Sequence, residues 1–125
     1  MPRPDTARRV KSYSAGNGYV YQYYFYEVNR VLHEGNAAVE FVYAISADRS
    51  NGFPVRILVF ETALAAWAKA NGRALTSSEE YAVAKMRLLQ ALDEGAVPHN
   101  ATAGHSEIFF VDGSNLELFL QQLNI

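Results

Sequence analysis

A dense aromatic run constrains the fold of this chain more than any other feature. Residues 18–26 read GYVYQYYFY and hold five of the chain's 8 tyrosines. Aromatic and β-branched residues favour strands, and side chains alternate across a sheet. We expect one face to carry Tyr19, Tyr21, Tyr23 and Phe25, and the other to carry Val20, Gln22, Tyr24, Tyr26 and Val28. Because both faces are apolar, the second face needs a cover of its own: helices, a second subunit or a ligand.

The composition is that of a globular domain. Of the 125 residues, 50% are hydrophobic and 19% are charged, proportions that exclude a wholly disordered chain. A chain of this length usually forms one domain, so we expect a single domain over residues 1–125 with a flexible tail at residues 1–7. The net charge of −2 provides no general field to attract nucleic acid or an anionic membrane.

The absence of cysteine excludes disulfide scaffolds, thiol nucleophiles and thiolate metal sites. The first six residues are polar and lack the apolar core of a secretory signal. No apolar run approaches the roughly 20 residues that a membrane span needs. We therefore expect a cytoplasmic protein that makes no membrane contact.

Short alternating segments separated by turn residues predict an antiparallel meander in the first half of the chain. Residues 9–13 alternate polar and apolar, and a glycine-rich turn leads from them into the aromatic run. Residues 37–45 alternate again, and the polar residues 48–52 separate them from an apolar strand at residues 55–60. Because parallel neighbours need a crossover of about a dozen residues, such short connections favour antiparallel pairing.

After these strands the hydrophobic period changes from two to about 3.6, which indicates helices. Thr62 is the expected N-cap of the first helix. A second, longer helix should begin with a capping box, formed either by Thr76 and Glu79 or by Ser77 and Glu80.

The last third of the chain predicts a loop at residues 95–104, an apolar run at residues 108–111 and a helix capped by Ser114 with Glu117. The run is either a fifth strand or an extended segment packed on the helices. The expected fold is therefore α+β. It consists of an antiparallel meander of three to four strands, two helices on one sheet face, a short extended segment and a C-terminal helix.

Polar residues give only weak indications of a reactive site. A metal site needs several convergent ligands, often with a closely spaced pair, and His33, His99 and His105 show no such spacing. We therefore expect neither a metal nor a cofactor. The residues left as candidates for a polar site are Asp48, Arg49, His99 and His105.

Aromatic side chains on a sheet can stack nucleic-acid bases, but this sequence does not favour that function. Asn17 stands where the RNA-binding pattern has a basic residue before Gly18 and Tyr19. The basic residues that could contact phosphates cluster only near the N-terminus, at Arg3, Arg8, Arg9 and Lys11. Phosphate contacts supply most of the affinity for nucleic acid, so no nucleic-acid partner is expected.

Two functions of different classes remain after these exclusions. The first is a self-associating interaction or regulatory module that forms a homodimer through the aromatic sheet, because tyrosine offers a large contact area with a polar end. The second is an enzyme or small-molecule-binding protein with a Tyr-lined pocket, in which the polar candidates supply the chemistry. The sequence identifies no substrate, ligand or protein partner.

Overall fold

A computed structural model describes residues 9–46, 52–98 and 104–125. Their elements, in chain order, are β1 (Lys11–Ser14), β2 (Val20–His33), β3 (Asn36–Ser46), β4 (Phe53–Phe60), α1 (Glu61–Asn71), α2 (Ser77–Asp93), β5 (Glu107–Val111) and α3 (Leu116–Gln122). The strands form one sheet in the order β1-β2-β3-β4-β5. The predicted α+β fold with its antiparallel meander is confirmed. No helix in these ranges is long and apolar enough to cross a membrane.

The apolar run near residue 108 is a fifth strand, and among the described strands it alone joins the sheet in parallel. β5 pairs with β4, with Ile57 opposite Phe109 and Val59 opposite Val111. The segment between β4 and β5 carries α1 and α2, which provides the long crossover that a parallel pair requires.

Two predicted helix caps are wrong, and one is confirmed. α1 begins directly after β4, so that its N-cap is Phe60 rather than Thr62. The N-cap of α3 is Asn115 rather than Ser114, and Asn115 makes no side-chain capping bond. In α2, the capping box forms between Thr76 and Glu79.

A β-bulge in β2 changes which residues share a face. Phe25 pairs with Tyr43 of β3, whereas the next pair joins Glu27 to Val42, so Tyr26 is an extra residue. Each β2 residue after the bulge therefore lies on the face opposite to the one that uninterrupted alternation predicts.

The bulge therefore overturns the expected position of Val28. Val28 lies opposite Phe41 and shares the face of Phe25 and Tyr43, not that of Tyr24. The cause is the single extra residue, because a shift of one position moves every later side chain to the opposite face.

The helices cover one face of the sheet, which we call the helix face. Its buried strand residues are Tyr21, Tyr23, Val39, Phe41, Tyr43, Ile45, Phe53, Val55, Ile57, Val59 and Val111. They form one hydrophobic core with residues from all three helices, among them Ala63, Leu88 and Phe119. We call the opposite side the outer face; none of the described helices contributes to it.

Charged groups reinforce the start of α2. The Thr76 hydroxyl accepts from the backbone N–H of Glu79, and the Glu79 carboxylate accepts from the backbone N–H of Thr76. Arg73 donates to both carboxylate oxygens of Glu79, at 2.9 and 3.0 Å. These bonds, with that of Arg73 contributing most, lower the pKa of Glu79 from 4.5 to about 2.

This lowered pKa makes the stability of the fold depend on pH. The ionised Glu79 stabilises the folded state above about pH 4.5, and the contribution is lost as the pH falls towards about 2. In the Glu79→Gln variant, the free energy of unfolding should therefore change less between pH 4.5 and pH 2. Urea unfolding across this range measures the difference. Ser78→Ala, which removes no charge, should keep the wild-type slope, and an unchanged slope in Glu79→Gln would contradict the prediction.

Candidate functional site

One end of the outer face forms a shallow groove built from the middle strands. Tyr24, Ala44 and Pro54 lie opposite one another on β2, β3 and β4, and residues that are opposite in neighbouring strands share a face. Tyr26 and Glu27 both line the groove, because the bulge directs two consecutive side chains outward. The groove has a volume of about 590 Å³.

The middle of the outer face holds a buried carboxylate. Glu40 is only 7% exposed. Its side chain accepts from Nδ2 of Asn29 at 3.0 Å and from a guanidinium nitrogen of Arg56 at 3.2 Å. Since a buried charge is costly without partners, these two donors are what allow Glu40 to occupy this position.

The other end of the outer face is an aromatic cluster. The rings of Phe60 and Phe110 stack at a centroid distance of 5.7 Å, and the ring of His33 lies 5.1 Å from that of Phe110. Leu58 is 1% exposed and lies opposite Phe110 in the sheet. Large aromatic side chains therefore shield apolar surface at this end without help from the described helices.

Because Glu40 is buried, replacing its partner Arg56 should cost more stability than replacing Arg30, which pairs at a more exposed position. Replacing Arg56 by Gln leaves Glu40 without its cationic partner and should lower the free energy of unfolding by about 1–2 kcal/mol. Arg30 pairs with Glu61, whose side chain is 41% exposed, whereas that of Glu40 is 9% exposed. Arg30→Gln should therefore cost less than about 0.5 kcal/mol. Urea unfolding of both variants measures the difference, and equal losses would contradict the burial argument.

The predicted interface tyrosines divide between the two faces of the sheet. Tyr24 and Tyr26 lie on the outer face, whereas Tyr21 and Tyr23 are buried beneath α2, at 1% and 5% exposure. The Tyr21 hydroxyl donates to the carbonyl of Val97 at 2.9 Å, so it belongs to the core and is not available for surface contacts.

The remaining aromatic candidates, Tyr19 and Phe25, lie at different places. Tyr19 precedes β2 and is 44% exposed. Phe25 packs on Tyr81 of α2 at a centroid distance of 5.1 Å. Phe25 is thus part of the contact between the sheet and α2.

The four polar candidates do not form a site within the described residues. Asp48, Arg49 and His99 lie outside those residues, as does the predicted tail at residues 1–7. Nε2 of His105 lies 2.6 Å from a carboxylate oxygen of Glu107, although the angle is not that of a hydrogen bond.

A second aromatic surface lies on the helix face, where β1 and β2 meet α2. Tyr43 is buried, and its ring contacts those of Tyr23, Phe25 and Tyr81 at centroid distances of 6.4, 5.7 and 6.4 Å. Within the described part of the chain, no group meets hydrogen-bond geometry with the Tyr43 hydroxyl. Burial, and secondarily the neighbouring Tyr81 hydroxyl, raise the pKa of Tyr43 well above its usual value.

No protein family, curated protein or solved structure matches the chain. The chemistry of its surfaces must therefore be interpreted from the residues themselves. The outer face offers a broad apolar area with one neutralised ion pair, which suits contact with another folded surface. The helix-face aromatic surface offers rings, hydroxyls and nearby cations, which suit a small ligand.

Sequence reasoning missed the partners that long-range folding supplies. Tyr81 lies on α2, far from β2 in the sequence, and Glu40 and Arg56 are 16 residues apart. The one available signal was the occurrence of Glu40 and Arg56 within otherwise apolar strands, since a charge in such a segment usually has a partner.

Proposed function

We propose that this protein is a self-associating interaction module and that a second copy of the chain packs against its outer face. The two copies would contact each other sheet against sheet, related by a two-fold axis. The arrangement of the outer face is the single observation that carries the proposal. The outer face carries aromatic and aliphatic side chains, and it lies on the side of the sheet that the described helices do not cover.

The chemistry of the outer face supports contact with another apolar protein surface. Val42, Ala44, Pro54, Phe60 and Phe110 lie on this face, and each retains some exposure. Interfaces between identical subunits are more apolar at their centre than an ordinary protein surface, and they are rich in aromatic residues. The outer face therefore resembles the centre of a homodimer contact in composition.

The charges of the outer face favour a second copy over a strongly charged partner. Glu40 and Arg56 neutralise each other in the middle of the face, and Glu27 lies at the groove. Two copies of a nearly neutral surface can approach without strong repulsion, whereas a charged partner would find no complementary patch.

The two ends of the outer face can complement each other under two-fold symmetry. In a two-fold contact, a residue of one copy meets a different residue of the partner, and the reverse contact also forms. Pro54 in the groove and Phe60 in the aromatic cluster are six residues apart on β4, about 20 Å at the usual rise of a strand. An antiparallel arrangement would place the aromatic cluster of each copy over the groove of the other.

Light scattering during size exclusion, over a protein concentration series, tests the proposal. The wild-type chain should show a dimer mass that falls towards the monomer on dilution. Ala44→Glu places a charge in the groove and should shift the dissociation constant upward by at least about tenfold, because a buried unpaired charge is costly.

Leu118→Glu is the matched control for this experiment. Leu118 is 48% exposed on α3 and lies on the helix side of the molecule, so the same substitution there should leave the dimer intact. Thermal unfolding checks that both variants fold. A wild-type chain that stays monomeric at the highest concentration would refute the proposal, as would equal weakening by both variants.

A further inference from the structure

A small pocket opens on the helix face between the start of β1 and α2. Its lining residues are Arg9, Lys11, Tyr23, Tyr24, Phe25 and Tyr81. The volume is about 260 Å³, somewhat below the roughly 300–1,000 Å³ of sites for drug-sized ligands. A pocket of this size suits a molecule with a single ring.

Two cations, Arg9 and Lys11, line the pocket, and a third, Lys85, lies close to it. Lys11 lies directly opposite Tyr23 in the β1–β2 pair, and Arg9 precedes Lys11 by two residues. Nζ of Lys85 lies 5.9 Å from the centre of the Tyr23 ring. Within residues 9–46, 52–98 and 104–125, none of these three cations belongs to an ion pair.

One carboxylate further along α2 is already engaged elsewhere. Asp93 accepts from the hydroxyl of Tyr13 at 2.9 Å and from the backbone N–H of Gly16 at 2.8 Å. It is eight residues beyond Lys85, a distance of about 12 Å along a helix. Among the described residues, Asp93 is therefore not paired with the cations near the pocket.

Tyrosine side chains, those of Tyr23 and Tyr81, form part of the pocket wall. Tyr43 interacts electrostatically with both Tyr81 and Tyr23, so the three phenol groups lie near one another. Among the described residues, the buried Tyr43 hydroxyl has no hydrogen-bond partner, and Tyr43 lies behind the residues that line the pocket. A buried hydroxyl without a partner costs free energy, and such groups call for an explanation.

We propose that this pocket binds a small anion carried on an aromatic ring, such as an aryl phosphate or aryl carboxylate. Lys11, Lys85 and Arg9 attract the anionic group. The rings of Tyr23 and Tyr81 contact the aromatic ring of the ligand. Charge-assisted hydrogen bonds are about twice as strong as neutral ones, so the cations supply most of the affinity. The proposal concerns the helix face and does not depend on self-association through the outer face.

Titration with phenyl phosphate, followed by amide chemical shifts in NMR spectra, tests the proposal at physiological salt. Saturable shifts should concentrate around Lys11, Tyr23 and Lys85. Lys11→Gln and Lys85→Gln should each raise the dissociation constant by about tenfold, the loss expected for one charge-assisted contact. Phenol and inorganic phosphate, which each lack half of the ligand, should bind at least about tenfold more weakly for the same reason.

Lys69→Gln is the matched control, because Lys69 is an exposed lysine in the last turn of α1. This variant should keep the wild-type affinity. Three results would overturn the proposal: no saturable binding, equal affinity for inorganic phosphate and phenyl phosphate, or equal weakening in Lys69→Gln. Each variant replaces a surface or half-exposed lysine, and its thermal unfolding confirms that the chain remains folded.

Discussion

Replacing Phe119 by Ala is expected to lower the free energy of unfolding by about 3–5 kcal/mol, the cost of truncating a fully buried aromatic residue. Phe119 is 1% exposed and belongs to the same hydrophobic core as the sheet and α2. Its loss would leave a cavity between α3 and the rest of the core. Urea unfolding followed by far-UV circular dichroism measures the change.

The neighbouring residue Leu118 provides the control for this substitution. Leu118 is 48% exposed, so Leu118→Ala should change the free energy of unfolding by less than about 0.5 kcal/mol. Similar losses in the two variants would contradict the placement of α3, since of these two residues only Phe119 faces the core. A small loss in Phe119→Ala would show that α3 contributes little to the fold.

Replacing Tyr21 by Phe is expected to lower the free energy of unfolding by about 1–3 kcal/mol. The substitution removes a hydroxyl and leaves its buried acceptor, a backbone carbonyl, without a donor. The acceptor is the carbonyl of Val97, to which the Tyr21 hydroxyl donates. The residue Val97 is 1% exposed. This single bond ties the start of β2 to the segment that follows α2. Without the hydroxyl, no other donor is in position for that carbonyl among the described residues.

The same substitution at Tyr43 should have the opposite sign. Among the described residues no group meets hydrogen-bond geometry with the buried Tyr43 hydroxyl, and the Tyr81 hydroxyl interacts with it only weakly. Tyr43→Phe therefore removes a poorly compensated polar group. We expect a stability equal to the wild type or up to about 1 kcal/mol higher. Urea unfolding of the two variants side by side is the measurement. A loss in Tyr43→Phe as large as that in Tyr21→Phe would show that the Tyr43 hydroxyl has a partner in solution.

Much of the fold could be predicted from sequence because its signals are local. The alternation in β2 and β3 and the short turns between strands indicated the meander. The reciprocal pair of Thr76 and Glu79 indicated the start of α2. The parallel pairing of β5 could not be predicted, because it depends on where two intervening helices place Ile108 and its neighbours. The bulge at Tyr26 also left no local signal, since every residue around it favours a strand.

The candidate sites were less accessible to prediction than the fold. The alternation in the aromatic run correctly predicted that Tyr23 and Tyr24 lie on opposite faces of the sheet. Nothing in the run indicated which of these faces the helices cover. Tyr43 becomes a neighbour of Tyr23 only when β3 pairs with β2, and Lys85 only after α2 packs on the sheet. Pockets built from distant segments require this tertiary information, whereas a turn or a cap does not.

The bulge in β2 also determines how the length of this strand can vary. Phe25 and Glu27 pair with Tyr43 and Val42, which are adjacent on β3. Deleting Tyr26 would therefore join two segments that are already in register and would leave every other side chain on its present face. Deleting a residue elsewhere within β2 would move the side chains of part of the strand to the opposite face of the sheet. Among natural variants of this chain, single-residue length changes in β2 should accordingly concentrate at Tyr26.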